Sequence, residues 1–159
     1  MKYCKHTTES HPLSRSYPQF LNSINSIIKE EHGTHFPFNA EVALELDKIK
    51  NSCQDKKMMH NKKSMDMVIG VKDGDNSMTL LVEFKLDCKQ AINLKGGDLL
   101  DKINDSKLLL FGSGIHVHNE YVFVFNDKLL NESRRVISSR LTHPNSIVLS
   151  IDDLKRKYF

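Results

Sequence analysis

The chain has 159 residues, 39% hydrophobic and 27% charged, with a formal net charge of +3. Such a length suits one domain with a core of its own, and the balance argues against wholesale disorder or a fibrous repeat. Its longest apolar runs, Leu108–Phe111 and Tyr121–Phe125, fall far short of the ~20 residues of a membrane span, and MKYCKHTTESHPLSRS lacks the apolar stretch of a secretory signal.

Three scattered cysteines (Cys4, Cys53 and Cys88) are an odd number, which speaks against a disulfide framework and for a reducing, cytoplasmic setting. The mild positive charge permits a nucleic-acid partner without arguing for one. Residues 1–16 are polar and read as a flexible N-terminal arm. Residues 17–159 read as a single α/β domain.

Within it, Phe20, Ile24, Ile27 and Ile28 share one helical face over Tyr17–Glu31, with Gly33 at the C′ position. Asn39 is placed to cap a second helix carrying Val42, Leu46 and Ile49 on one face and Glu41, Glu45 and Lys48 on the other. Residues 51–64 are polar and Lys-rich and read as a loop. The period then changes to two. Met65–Val71 and Met78–Asp87 read as antiparallel strands around a turn signalled by Asp73-Gly74. Asp98–Phe111 is expected as a helix and Tyr121–Phe125 as a buried strand. An amphipathic helix over Asp127–Leu141 turns Leu130, Ile137 and Leu141 inward, and Ser146–Ile151 is a last strand. The expected architecture is α/β, a mixed central sheet flanked by helices.

The chemistry concentrates in Ser64–Asp87. Along the second hairpin strand, Leu80, Val82, Phe84 and Leu86 face one way, and Leu81, Glu83, Lys85 and Asp87 the other. An acid and a lysine thus project together from an otherwise apolar strand, where charge is costly unless it is paired or binds something. The hairpin can return Asp66 beside Glu83. Two converging carboxylates repel unless a cation joins them, and all-oxygen ligation suits Mg²⁺ or Mn²⁺. The Phe84 carbonyl could complete the protein ligands of the metal. Lys85 would face the same point, placed to hold a phosphate and offset charge in its transition state.

Asp66, then sixteen intervening residues, then Glu83-Phe84-Lys85, resembles the signature of the PD-(D/E)xK nuclease superfamily, with Met65 in place of the proline of its name. The resemblance covers roughly residues 39–126. It implies a restriction-endonuclease-like fold with a core of helix, three strands, helix and strand. It further implies a DNA endonuclease using Mg²⁺-activated water, with Asp66 and Glu83 on the metal and Lys85 at the water or phosphate. An acid from the first core helix often joins such sites. Glu41 is the favoured candidate, with Glu45 as the alternative. Two strands are legible near the motif, and the third is sought around Met58–His60 or Cys88–Leu94. A homodimer is the natural way for so small a nuclease to address both strands of a duplex. The alternative is a catalytically inactive nuclease-fold protein that binds nucleic acid or protein. Lys56-Lys57, Lys62-Lys63, Lys89, Lys95, Arg134-Arg135, Arg140 and Lys155–Lys157 are candidates for a phosphate-tracking surface. The histidine and cysteine spacings match no compact zinc motif.

Overall fold

A computed structural model describes residues 1–52, 62–141 and 145–159. Its centre is the hairpin of β4 (Met67–Asp73) and β5 (Asn76–Lys85), paired from Met67↔Val82 to Asp73↔Asn76. The two-residue loop begins at Gly74, whose φ of +57° is the left-handed backbone that glycine supplies without strain. On the outer side of β4 lie two strands in tandem, both antiparallel to it. The first is β1 (Lys2–Tyr3) and the second β3 (Val42–Glu45), while β2 (Leu21–Ser23) forms the edge beyond β3.

On the other side of β5 the sheet becomes parallel. The chain crosses through α5 (Gly96–Leu110) into β6 (His116–Phe125), then through α6 (Leu130–Arg140) into β7 (Ser146–Leu149). Among the described residues these seven strands form one mixed sheet, ordered β2-β3-β4-β5-β6-β7 with β1 beside β4.

Helices cover both faces. One face packs Met67, Ile69, Leu80, Val82 and Phe84 against α3 (Ile24–Glu30) and α7 (Ile151–Tyr158). The other packs Val68, Leu81, Phe123 and Phe125 under α4 (Leu46–Ser52), α5 and α6. The strict alternation along β5 is the pleat expected from its sequence, and burial on both faces marks it as a central strand. No helix of the described residues is long and apolar enough to cross a membrane.

Three expectations are corrected. Residues 1–16 form β1, α1 (Lys5–Ser10) and α2 (Pro12–Ser16), docked on β4 rather than loose. Gly70 permits this contact, because a Cβ there would stand 2.5 Å from the Thr8 amide nitrogen. The amide of Gly70 donates to Thr8 Oγ1 (2.8 Å) and its carbonyl accepts from the Cys4 amide (2.8 Å).

The continuous helices expected over Tyr17–Glu31 and Asn39–Asn51 are each broken by a strand. Phe20 packs on the face opposite Ile24, Ile27 and Ile28. Likewise Ala43 and Leu44 point to opposite faces. Pairing with β4 overrides a helical spacing that fits Val42, Leu46 and Ile49 equally well. β3 is therefore a third strand beside the hairpin, paired to the outer side of β4. Met58–His60, one place where it was sought, lies outside the described residues, and Ala91–Asn93, within the other, is a 3₁₀ turn. The last correction is α7, which follows directly on β7.

Candidate functional site

Asp66 immediately precedes the first hairpin pair, Met67↔Val82, so continuing the register sets it opposite Glu83. Asp66 Oδ2 accepts a 2.6 Å hydrogen bond from the Phe84 amide, which locks the aspartate across the strand pair. Glu83 is 0% exposed and Asp66 6%. On the far side of Glu83, β6 sets Phe123 in register with it and Phe125 with Lys85, so the charges sit against aromatic walls.

Two ammonium groups answer the acids. Lys85 Nζ donates to Glu83 Oε1. Lys102, from α5, donates to the same Oε1 at 2.6 Å and reaches Asp66 Oδ1 at 3.4 Å. Glu83 Oε2, by contrast, is buried with no hydrogen-bond partner among the described residues.

Burial, followed by the charge of Glu83, pushes the Asp66 carboxyl up to about 7; Lys102, Lys85 and the Phe84 amide pull the other way. Burial opposes the charge on Lys102, but Glu83 and Asp66 outweigh it and hold the ammonium above its ordinary range.

A third acid belongs to this electrostatic cluster. Burial, then the charge of Asp66, pushes Glu31 up to about 7, with Lys85 and Lys102 again opposing. Glu31 sits where α3 ends in a Schellman turn. The amide of Gly33 donates to the Ile28 carbonyl (2.8 Å) and that of His32 to the Lys29 carbonyl (3.2 Å), with His32 at φ +62°. Gly33 thus stands one place beyond the expected C′ position, which His32 takes. A Cβ on Gly33 would lie 2.8 Å from Leu86, just past the end of β5, so the turn is pressed against the end of the sheet where Glu83 and Lys85 lie.

The structure therefore brings Asp66, Glu83 and Lys85 together as their spacing suggests. The two favoured helix acids are not brought with them. Glu41 precedes β3, and its Oε2 accepts from the Asn39 amide at 2.5 Å. Extending the β3–β4 register sets Glu41 level with Val71, five residues from Asp66, or about 16 Å along a strand. Glu45 is buried on the Met67 face, held by Asn22 and by Lys48 (2.8 Å). Phe84 contributes its amide, while its side chain fills the opposite core.

Lys102 and Glu31 escaped the sequence reading. Lys102 left a signal, being a lysine within the stripe Leu99, Ile103, Ser106 and Leu110 that α5 buries. Glu31 left none, because a turn rather than a helical face delivers it.

Of the basic clusters, Lys62 and Lys63 are bound by acids of α5: Lys62 by Asp105 (2.8 Å), Lys63 by Asp98 (2.7 Å) and Asp101 (3.1 Å). The Lys63 amide also donates to Asp105 (3.0 Å). These bonds tether the segment leading into Asp66. Lys56 and Lys57 lie outside the described residues.

Among the described residues, no group of three or more His, Cys, Asp and Glu side chains converges closely enough to hold a metal ion unaided. The oxygen-only pair still fits a hard divalent cation, which keeps several waters and takes one or two carboxylates. The partnerless, buried Glu83 Oε2 is the observation that favours this fit. Comparison with protein-family models, curated proteins and solved structures returned no match.

Proposed function

We propose that this chain is a divalent-metal-dependent phosphodiester hydrolase acting on DNA, built on a restriction-endonuclease-like core. The observation that carries the reading is the convergence of Asp66 and Glu83, from adjacent strands, on one buried face with Lys85 bonded to Glu83. The element order supports it too. Taken as α3, β3, β4, β5, α5 and β6, the chain follows the helix, three strands, helix and strand of the PD-(D/E)xK core, with short α4 inserted.

Asp66 and Glu83 would hold Mg²⁺ or Mn²⁺, with the Phe84 carbonyl as a further oxygen. Such a cation supplies Lewis-acid charge to a phosphoryl oxygen and lowers the pKa of water. The chain's own groups do the rest. Lys85, fixed on a rigid strand, stabilises negative charge as it grows on the phosphate. Glu31, half-buried at the end of α3 and within the field of Asp66, would take the place sought for a helix acid at Glu41 or Glu45 and help orient the attacking water. The aromatic walls of Phe123 and Phe125 lower the local dielectric and strengthen each of these interactions. A two-fold pair of chains would present two such sites to the two strands of a duplex.

The second reading, a nuclease-fold protein that binds without cutting, is favoured by one observation: two lysines already partner the acids. Plasmid cleavage in Mg²⁺ separates the two. The hydrolase reading expects nicking by the wild type and a loss of about 10²–10³-fold in Lys85→Ala with folding intact, the effect of removing one transition-state donor. DNA binding with no cleavage by either protein would instead establish the second reading.

A further inference from the structure

The bonding around the two acids is uneven. Asp66 Oδ2 already accepts from the Phe84 amide, which leaves Oδ1 as the oxygen with no backbone partner. That atom faces Lys102 Nζ at 3.4 Å, and the same ammonium lies 2.6 Å from Glu83 Oε1. Lys102 is thus the one cation among the described residues seen bridging both carboxylates, whereas Lys85 reaches Glu83 alone.

Lys102 is also an odd residue for its place. Its neighbours Leu99, Ile103 and Ser106 are buried on the sheet-facing side of α5, while the Lys102 side chain keeps 21% of its surface exposed. Its ammonium is in the cluster and its stem has a path to solvent. A lysine carries its charge on four flexible carbons, so it can reposition without moving the helix.

We infer that Lys102 is a tethered stand-in for the divalent cation, its ammonium holding the position between Asp66 and Glu83 until the metal enters and displaces it. The inference rests on the reading of that pair as a cation site and adds to it a built-in competitor. Without metal, Lys102 neutralises two buried acids that would otherwise repel each other. A divalent ion held by Asp66 Oδ1 and Glu83 would sit against the ammonium and repel it, and the side chain would swing outward. Metal affinity is lowered by the work of that displacement. The released ammonium stands beside the site, where it can meet the phosphate backbone.

The test is amine labelling of the full-length protein, read by peptide mass spectrometry with and without Mn²⁺. Exposed Lys95, one residue before α5, serves as the internal standard. Isothermal titration of Mn²⁺ into wild type, Glu83→Gln and Lys102→Met runs beside it. The expected result is a several-fold rise in Lys102 labelling on Mn²⁺ addition, none at Lys95, and Mn²⁺ binding at least about 10-fold tighter in Lys102→Met. If Mn²⁺ binds in a Glu83-dependent way while Lys102 labelling stays unchanged, the displacement is overturned and the cation site stands. If no Mn²⁺ binding depends on Glu83, both fall. The labelling arm uses wild-type protein, so a folding defect in Lys102→Met leaves the test decisive.

Discussion

Asp66 and Glu31 both hold their protons more tightly in the fold than carboxyls do in water, chiefly because burial disfavours their charged forms. The consequence for stability has a definite sign. Between the ordinary carboxylate range near 4 and the folded values of about 7, the native protein binds more protons than the unfolded chain. Stability from these groups therefore falls as pH rises through that window and stays reduced above it. In metal-free buffer, melting should occur at higher temperature near pH 5 than near pH 8. Asp66→Asn should flatten that slope, gaining up to a few kcal/mol at pH 8. Thermal melts at the two pH values measure both; an unchanged slope in the variant would show that Asp66 ionises normally.

The turns and helix faces around the hairpin set where these side chains stand. His32 occupies the left-handed position that ends α3, a conformation that crowds any Cβ. His32→Gly should stabilise the protein by about 0.5–1 kcal/mol in urea unfolding, the relieved strain outweighing the added freedom of the unfolded chain.

α5 does more than cover the sheet. Ser106 Oγ, fully buried, accepts the Met65 amide at 2.8 Å, one residue before Asp66. Ser106→Ala would leave that amide buried and unpaired, for a loss of about 1–3 kcal/mol. Because Met65 leads into the aspartate, the proposed hydrolase activity should fall alongside stability. The same urea titration, run beside the nicking assay, reads the two effects.

Seen across the molecule, the N-terminal sixteen residues are part of the sheet's architecture. Met1 and Tyr3 pack against the core shared with α3 and α7, and the Tyr3 and Phe159 rings stack at 4.7 Å. Thr8 satisfies the buried Gly70 amide in the middle of β4. Deleting residues 1–16 should therefore lower stability by about 2 kcal/mol or more, since it exposes apolar surface and strips partners from β4. A truncated protein melting at the wild-type temperature would show the segment to be a dispensable arm. Part of the surface charge is also paired within the fold. Lys62 and Lys63 pair with α5, Lys48 with Glu30 and Glu45, and Lys157 with Glu120. Each such pair occupies a cation and an acid together, so the net charge of +3 is unchanged while fewer individual lysines stand free.

What the sequence determined by itself was whatever depends on near neighbours in the chain. The pleat of β5 follows from period-two alternation, so Glu83 and Lys85 had to share a face. The Asp73-Gly74 turn sets the register that returns Asp66 to Glu83. α7 carried local signals that went unread. Ser150 caps it, Asp152 and Asp153 open its first turn, and Ile151, Leu154 and Tyr158 line its buried face, but the apolar run SIVLSI reads through its start. Only the tertiary structure decided the rest. Residues 42–45 fit a helix and a strand alike, and the free edge of β4 chose the strand. That choice carried Glu41 and Glu45 away from the acids. Glu31 and Lys102 join the acids from elements 35 and 36 residues away from Asp66. No local period encodes such meetings, because they depend on how α3 ends against the sheet and on which face of β5 α5 covers.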